Sequence, residues 1–194
     1  MRPLAKSFFG RPADVVAREL LGARIVSHLG PVPLSGFISE TEAYLGRDDP
    51  ASHAYLGRHH DGNRNLYGPP GTWYVYRSYG IHWCANLVCG EPAPGGAVLL
   101  RGIVPLAGVT LMRQRRGDVP DRMLCDGPGK LCQALGITRE LDGAPMWRSP
   151  VVVGTAAGPV ERGAVRATPR IGISKAVDWP LRFVLETARE PALP

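Results

Sequence analysis

Apolar positions near the start of the chain recur at helical spacing. Pro12 opens a segment with apolar residues at positions 15, 16, 20 and 21, and Gly22 closes it, which predicts an amphipathic helix. Two short, partly β-branched runs follow, Arg24–His28 and Leu34–Glu40, on either side of a Gly-Pro turn. Such runs predict two strands paired as a hairpin.

The middle of the chain combines a long polar segment with an aromatic strand. Gly46–Gly71 is rich in Gly, Pro, Asn and Asp and is too long for a simple connection, which predicts a functional loop. In Thr72–Tyr79 one face then carries Trp73, Val75, Arg77 and Tyr79 and the other Tyr74, Tyr76 and Ser78, the alternation of a strand.

The rest of the chain predicts further strands and two short helices, without an internal repeat or linker. The strands are predicted at Ile81–Cys89, Ala97–Val104, Val151–Val153, Arg170–Ile173 and Leu181–Leu185. The helices are predicted at Leu106–Arg116 and Pro128–Leu135. We therefore expect one α+β domain over residues 1–194, with a curved, largely antiparallel sheet and surrounding short helices.

Composition and charge add one functional hint. Apolar residues make up 44% and charged residues 21%, the balance of an ordinary soluble globular protein. Residues 1–100 carry nine basic against eight acidic side chains, whereas residues 101–194 carry 14 against nine, so most of the net charge of +6 lies in the second half. A basic face suits an anionic polymer such as a nucleic acid. A genomic bias toward arginine would give the same excess, because only three of the 23 basic residues are Lys.

Cysteine spacing and hydropathy argue against a disulfide-bonded secreted protein and against a membrane-spanning protein. The four cysteines include no C-x-x-C pair and follow no secretory segment, so they are predicted to be reduced, buried thiols. The longest apolar stretch, Ala97–Met112, is interrupted by Arg101, and no membrane span is predicted.

Two carboxylates provide the first candidate chemistry. Glu40 and Glu42 lie at a predicted strand end immediately before the long loop, a common location for a catalytic base. In a strand they point to the same face, and Arg101, inside an apolar strand, must pair with some group if it is buried. A structural ion pair on a sheet face is the alternative explanation.

Aromatic rings form a second candidate cluster. It consists of Tyr44, Tyr74, Tyr76 and Tyr79 with the imidazole of His53. Flat side chains can stack on both faces of a base extruded from a duplex, and another bulky side chain can fill the gap left behind. Aromatic residues are also ordinary strand residues, so a tyrosine-rich core strand is the alternative.

Two further sequence features are candidate binding sites. The long loop holds several potential metal ligands, but no H-E-x-x-H or comparable spacing organises them: Asp48, Asp49, His53, His59, His60 and Asp61. Gly127-Pro-Gly-Lys130 offers backbone N–H groups and a cation to a DNA phosphate, or is simply the start of a helix with a solvated Lys. We expect no metal and no cofactor.

Several motifs, in order, resemble those of the alkyladenine, or 3-methyladenine, DNA glycosylase family. They are Glu40–Gly46, Gly71–Tyr76, Tyr79-Gly80, Val98–Arg101 and Gly127–Leu135, within a resemblance that runs from about residue 5 to 186. The resemblance implies an enzyme of base excision repair that flips alkylated or deaminated purines out of duplex DNA and hydrolyses their bond to the sugar. The purines it implies are 3-methyladenine, 7-methylguanine, hypoxanthine and ethenoadenine.

The resemblance also implies catalytic roles. Glu42 would be the general base that activates water. Arg101 would hold the carboxylate and the water, helped by the backbone carbonyl of Ile171. No Lys is implicated as a Schiff-base nucleophile, so the enzyme would be monofunctional and leave an abasic site without strand cleavage.

Binding roles follow from the same resemblance. Tyr44 and His53 on one side and Tyr76 on the other would sandwich the flipped base. Asn86 would crowd the exocyclic amino group of guanine and so help exclude it. Tyr79 would be the wedge that takes the vacated place in the DNA helix.

The resemblance implies a partner and a location as well. Arg58, Arg64 and Lys130 would contact double-stranded DNA, although Gly62 stands where some members of the family carry a cation. We expect a cytoplasmic, nucleoid-associated monomer that does not bind membranes. The competing hypotheses are a damage-recognition protein that flips bases without cutting them and a metal-dependent hydrolase that uses the His and Asp loop.

Overall fold

The computed structural model describes residues 1–90, 95–155 and 165–186. Within these ranges the helices are α1 Lys6–Phe9, α2 Ala13–Glu19, α3 Val109–Arg116 and α4 Pro128–Leu135. The strands are β1 Arg24–Ser27, β2 Leu34–Tyr44, β3 Trp73–Ser78, β4 His82–Cys89, β5 Gly96–Ala107, β6 Val151–Gly154, β7 Val165–Thr168 and β8 Arg182–Leu185. The fold is α+β, which confirms the predicted class. None of the described helices is long and apolar enough to cross a membrane.

The eight described strands form one curved antiparallel sheet. Its order is β3-β4-β5-β2-β1-β6, and β8 pairs with both β2 and β7. The predicted hairpin is confirmed as β1 with β2. The long strands β2 and β5 pair with register shifts on either side of Glu40. Such irregularities bend a strand and increase its twist, so the sheet curves where this carboxylate lies.

Strand β2 changes partners along its length. Its first part, Leu34–Phe37, pairs with β1, whereas Glu40–Glu42 pair with β8, and β5 follows the opposite edge of β2. Thr41 Oγ1 donates a hydrogen bond to the carbonyl of Ala17 in α2, at 2.8 Å. Because neighbouring strand residues point to opposite faces, Glu40 and Glu42 face away from the helix that Thr41 contacts.

The hydrophobic core lies between the sheet and its helices. The apolar faces of α2 and α4 are buried, and all four cysteines are buried and free, as predicted. A smaller buried cluster packs the long loop against the sheet: Ala54, Leu66, Tyr74, Val88 and Ala97. The loop is not irregular throughout, since it forms short 3-10 turns at Gly46–Asp48, Tyr55–Gly57 and Asp61–Tyr67.

The structure corrects one predicted helix boundary and one predicted strand. The helix predicted from Leu106 begins at Val109, because β5 continues to Ala107 and Gly108, with a φ of 72°, separates the strand from the helix. The strand predicted at Arg170–Ile173 is an irregular segment, and β7 precedes it. Here the Arg170 side chain and the Ile171 N–H bind groups of the site instead of a neighbouring strand.

Candidate active site

The carboxylate of Glu42 is buried and hydrogen-bonded through both oxygens. Its side chain has no exposed surface. The Tyr44 hydroxyl donates to Oε2 at 2.9 Å, and the backbone N–H of Ile171 donates to Oε1 at 2.8 Å. Arg101 Nε lies 3.4 Å from the same Oε1. Thus Arg101 and Ile171 both meet Glu42, and Ile171 does so through its N–H rather than its carbonyl.

Glu40 shares Arg101 with Glu42. Glu40 Oε1 accepts hydrogen bonds from Arg101 Nε at 2.9 Å and from Arg182 Nε at 2.6 Å. Because β2 pairs with β5 on one edge and with β8 on the other, each strand brings one arginine to the same carboxylate. Four charges therefore alternate in sign across three strands. The sequence predicted the two Glu and Arg101 but not Arg182.

Burial and neighbouring charges move the two carboxyl pKa values in opposite directions. Burial raises the pKa of Glu42, and its hydrogen bonds and the Arg101 charge do not offset this effect. Burial acts on the pKa of Glu40 in the same direction, but hydrogen bonds from Arg182 and Arg101 outweigh it and lower that pKa. Glu40 is thus a firmly held anion and Glu42 the stronger base. Burial, with the Glu42 charge, also raises the pKa of Tyr44, which keeps its hydroxyl a donor.

A second buried ion pair fixes the segment that carries Ile171. The side chains of Arg170 and Asp49 are both fully buried, and the guanidinium donates to both carboxylate oxygens, at 2.5 and 2.8 Å. Arg170 also donates to the carbonyl of Ala43 and lies over the ring of Tyr44, 4.7 Å from its centre. This pair joins the start of the long loop to the segment that covers Glu42.

A cavity of about 920 Å³ opens beside this network. Nine of the predicted site residues line it: Tyr44, His53, Arg58, Tyr76, Tyr79, Asn86, Arg101, Lys130 and Ile171. Glu42 does not line the cavity, because Tyr44, Arg101 and Ile171 lie between its carboxylate and the cavity. The predicted residues therefore come together, with the candidate base just beneath the cavity wall.

Aromatic rings form one wall of the cavity. The ring centres of His53 and Tyr76 are 4.6 Å apart in an edge contact, and those of Tyr74 and Tyr76 are 5.5 Å apart and nearly parallel. His53 Nδ1 lies 2.8 Å from the Tyr74 hydroxyl. Partial burial, together with nearby His60, lowers the pKa of His53 and favours the neutral imidazole. Because His53 and Tyr76 touch, a third ring does not fit between them in this conformation.

Asn86 presents a fixed polar group to the cavity. Its side chain is buried, and Nδ2 donates to the backbone carbonyls of Tyr74 at 3.1 Å and Cys84 at 3.4 Å. With the amide nitrogen held in this way, Oδ1 is the atom left to meet a ligand. Tyr74, a member of the predicted aromatic cluster, and Cys84, which the sequence did not single out, line the same cavity.

Tyr79 lies at the tip of the β3–β4 hairpin. It is 87% exposed, and its φ of 48° is unusual for a residue with a Cβ. Gly80 follows with a φ of 68°, and the Ile81 N–H donates to the Ser78 carbonyl at 3.0 Å to close the turn. The turn thus holds a large aromatic side chain in solvent at the edge of the cavity.

The residues predicted to contact DNA line two different cavities. Arg58 and Lys130 line the main cavity, and Lys130 Nζ is 2.9 Å from Asp126. Arg64 lines a neighbouring cavity of about 850 Å³ instead. Among the residues that the structure describes, no group of three or more His, Cys, Asp or Glu side chains could hold a metal ion.

The site therefore combines a buried, hydrogen-bonded carboxylate with an aromatic cavity that arginine and lysine side chains also line. The chain belongs to the methylpurine-DNA glycosylase family, whose profile matches residues 7–189. This confirms the resemblance inferred from the motifs.

Curated relatives agree with this family. A protein of Agrobacterium fabrum with the provisional name 3-methyladenine DNA glycosylase is 54% identical over 93% of this chain and 88% of its own. Proteins with the same provisional name from Granulibacter bethesdensis and Methanoculleus marisnigri are 48% and 45% identical. The alignments cover 91% and 96% of this chain and 81% and 96% of the relatives.

Proposed function

We propose that this protein is a monofunctional DNA glycosylase that flips an alkylated or deaminated purine out of duplex DNA and hydrolyses its bond to the sugar. The main observation behind this proposal is Glu42, a buried carboxylate with a raised pKa that Arg101 holds beneath an aromatic cavity. The substrates we propose are 3-methyladenine, 7-methylguanine, hypoxanthine and ethenoadenine. The enzyme acts as a single-domain monomer on DNA at the nucleoid.

The charge network suits the chemistry of this reaction. Breaking the bond between purine N9 and C1′ builds positive charge on the sugar, and a nearby carboxylate stabilises that charge. The purine leaves with the bonding electron pair: a base alkylated at N3 or N7 is cationic and leaves as a neutral molecule, whereas hypoxanthine or ethenoadenine takes up a proton from solvent. Water attacks C1′ as Glu42 accepts its proton. A base whose pKa lies nearer to neutral pH is the more effective proton acceptor, and burial shifts Glu42 in that direction. Glu40, anchored by Arg182, holds Arg101 beside the reacting centre.

The groups that cover the Glu42 carboxylate must make room for the attacking water before the reaction can occur. The Ile171 N–H donates to Glu42 Oε1, and Ile171, which is 49% exposed, lines the cavity. A water between Glu42 and C1′ takes over one of the hydrogen bonds that now cover the carboxylate. The backbone of Ile171, fixed by the neighbouring Arg170–Asp49 pair, then positions that water through its carbonyl.

The cavity suits a purine in shape and in polarity. The rings of Tyr44, His53 and Tyr76 supply flat apolar surfaces, and His53 moves away from Tyr76 to admit the base. Asn86 Oδ1, which cannot rotate without losing two hydrogen bonds, crowds the amino group of guanine. Tyr79 fills the gap in the duplex, because the hairpin already holds it exposed.

The positions of the two lysines that line the cavity support glycosylase activity without strand cleavage. A Schiff base needs an unprotonated amine beside C1′. Lys130 is paired with Asp126, and Lys175 lies 5.8 Å from the centre of the Tyr55 ring. We therefore propose hydrolysis by water alone, with an intact but abasic strand as the product.

One experiment separates this function from its rivals. The purified protein is incubated in EDTA with duplexes that contain one hypoxanthine or one 1,N6-ethenoadenine, and with methylated DNA. Cleavage only after alkali supports a metal-independent, monofunctional glycosylase. Tight lesion binding without abasic sites supports a damage-recognition protein, activity that EDTA abolishes supports a metal-dependent hydrolase, and cleavage without alkali contradicts the absence of lyase activity.

A further inference from the structure

A second cavity lies on the other side of the aromatic wall. Its volume is about 850 Å³, and it shares His53, Tyr74, Tyr76 and Arg77 with the candidate active site. Three arginines line it from three different segments: Arg64, Arg77 and Arg139. Of these three, Arg64 alone was predicted to contact DNA. We call this feature the arginine groove.

The half-buried side chain of Asp142 holds the three segments together. Asp142 Oδ2 accepts a hydrogen bond from Asn65 Nδ2 at 2.8 Å, and its Oδ1 accepts the backbone N–H of Val75 at 2.9 Å. Asn65 is next to Arg64, Val75 lies two residues before Arg77, and Asp142 follows Arg139 by three. The groove is therefore a preformed arrangement, in which both oxygens of the Asp142 carboxylate already accept hydrogen bonds from the protein.

The three guanidinium groups are available to a ligand. Among the described residues, no carboxylate oxygen lies within 4.0 Å of any of them, whereas other surface cations are paired, such as Arg113 with Asp121 and Arg166 with Glu186. Arg77 lies against the ring of Trp83, 5.6 Å from its centre, which orients this side chain in the groove. Asp61 is the other acidic residue of the lining, so the groove keeps a positive balance.

We infer that the arginine groove binds phosphates of the DNA backbone next to the flipped nucleotide. The inference rests on the proposed function, since it extends the DNA path from the cavity across the aromatic wall. Arg77 is two residues before Tyr79, a distance of about 7 Å along an extended strand. A duplex that takes Tyr79 into its stack therefore brings a neighbouring phosphate within reach of Arg77. Planar guanidinium groups bind phosphate oxygens through paired hydrogen bonds.

Salt dependence of binding tests this inference. The affinity for a duplex with a tetrahydrofuran abasic-site analogue is measured over a range of NaCl concentrations, for wild type and for Arg77→Ala, Arg139→Ala and the double variant. Each lost phosphate contact lowers the slope of log Kd against log salt by about 0.9, so we expect a decrease near that size for each single variant. Arg148→Ala is the matched control, because Arg148 is exposed and lines neither cavity.

The outcomes distinguish this inference from the proposed function. A reduced slope in the groove variants, an unchanged slope in Arg148→Ala and recovery in Arg77→Lys support the groove. Wild-type slopes in all folded groove variants overturn it, even if the wild-type protein excises purines. A wild-type protein that shows the groove-dependent slope and excises no purine contradicts the proposed function alone.

Discussion

Two glutamates that are two residues apart differ in their chemistry because of their partners. Glu40 receives hydrogen bonds from two arginines, whereas Glu42 receives a tyrosine hydroxyl and a backbone N–H and only a more distant guanidinium. Burial acts on both pKa values in the same direction, and the hydrogen bonds reverse it only for Glu40. The ionised Glu40 therefore stabilises the fold, and the ionised Glu42 costs stability.

This difference predicts opposite effects of two matched substitutions. Because the pKa of Glu42 is raised on folding, its ionisation costs stability at neutral pH, and this cost disappears as the pH falls below about 4.5. The lowered pKa of Glu40 stabilises the fold at neutral pH, and this stabilisation is lost as the pH falls below the same value. In thermal unfolding at pH 7 we expect Glu42→Gln to raise Tm and Glu40→Gln to lower it. An equal decrease in Tm in both variants would show that the two carboxylates contribute equally to stability.

Arg182 is predicted to set the pH range of activity without touching the substrate. Glu42 is surrounded by Arg101, Tyr44, Cys84 and Glu40, with Arg182 beyond Glu40. Loss of the Arg182 charge leaves Glu40 less compensated, which raises the pKa of Glu42 further. In Arg182→Met, the acidic limb of the single-turnover pH–rate profile should move to higher pH, and Arg182→Lys should move it back. An unmoved limb in a folded Arg182→Met protein would leave Arg182 with a structural role only.

Residue chemistry was predictable from the sequence where it depended on local pattern. Glu40 and Glu42 alternate within one strand, so their common face followed from the chain alone. The position of Arg101 within an apolar strand predicts that it needs a charged partner. Arg182 and the Arg170–Asp49 pair carried no such signal, since each contact joins positions more than 100 residues apart.

At the scale of elements, the irregular segment around Arg170 works as a cover that the long loop holds in place. Arg170 and Asp49 are buried together, and the N–H of the next residue, Ile171, reaches Glu42. The sequence predicted a strand there, because short apolar runs do not reveal which hydrogen bonds the backbone will make. Helix α4, with Pro at its start and Gly after its end, matched its prediction because both of its boundaries are local signals.

Removal of Asp49 is predicted to be strongly destabilising. Asp49→Ala leaves the Arg170 guanidinium buried without its carboxylate, which typically costs about 3–5 kcal/mol. Asp121→Ala is the control, because it breaks an exposed pair with Arg113, and exposed pairs contribute little. Chemical denaturation of both variants measures the difference. A similarly small decrease in the free energy of unfolding in both variants would mean that the Arg170–Asp49 pair does not hold the segment around Arg170 in place.

The β3–β4 hairpin is predicted to act in base flipping rather than in the chemical step. Tyr79→Ser removes the exposed ring, so the extruded state loses the side chain that replaces the base. With a 2-aminopurine reporter beside the lesion, we expect a smaller and slower rise in fluorescence. Val32→Ser, an exposed apolar residue outside the hairpin, is the control. Wild-type fluorescence kinetics in Tyr79→Ser would remove the wedge role.

At the scale of the whole molecule, one curved sheet brings distant segments to a single cavity. Strand β2 contributes the carboxylates, β5 and β8 the arginines, β3 and β4 the aromatic wall and Asn86, and the segment after β7 the cover. The sequence predicted an antiparallel sheet and the members of the site. It did not give the strand order or the change of partner along β2, because these depend on pairings between distant parts of the chain.

The most direct test of the central claim is single-turnover excision of 1,N6-ethenoadenine from a duplex by wild type and by Glu42→Gln, with lesion binding measured in parallel. A general base contributes about 10²–10⁴-fold to a rate. We therefore expect a loss of at least about a hundredfold in Glu42→Gln, with binding to the lesion retained. Excision by Glu42→Gln at the wild-type rate would contradict the assignment of Glu42 as the base that activates water.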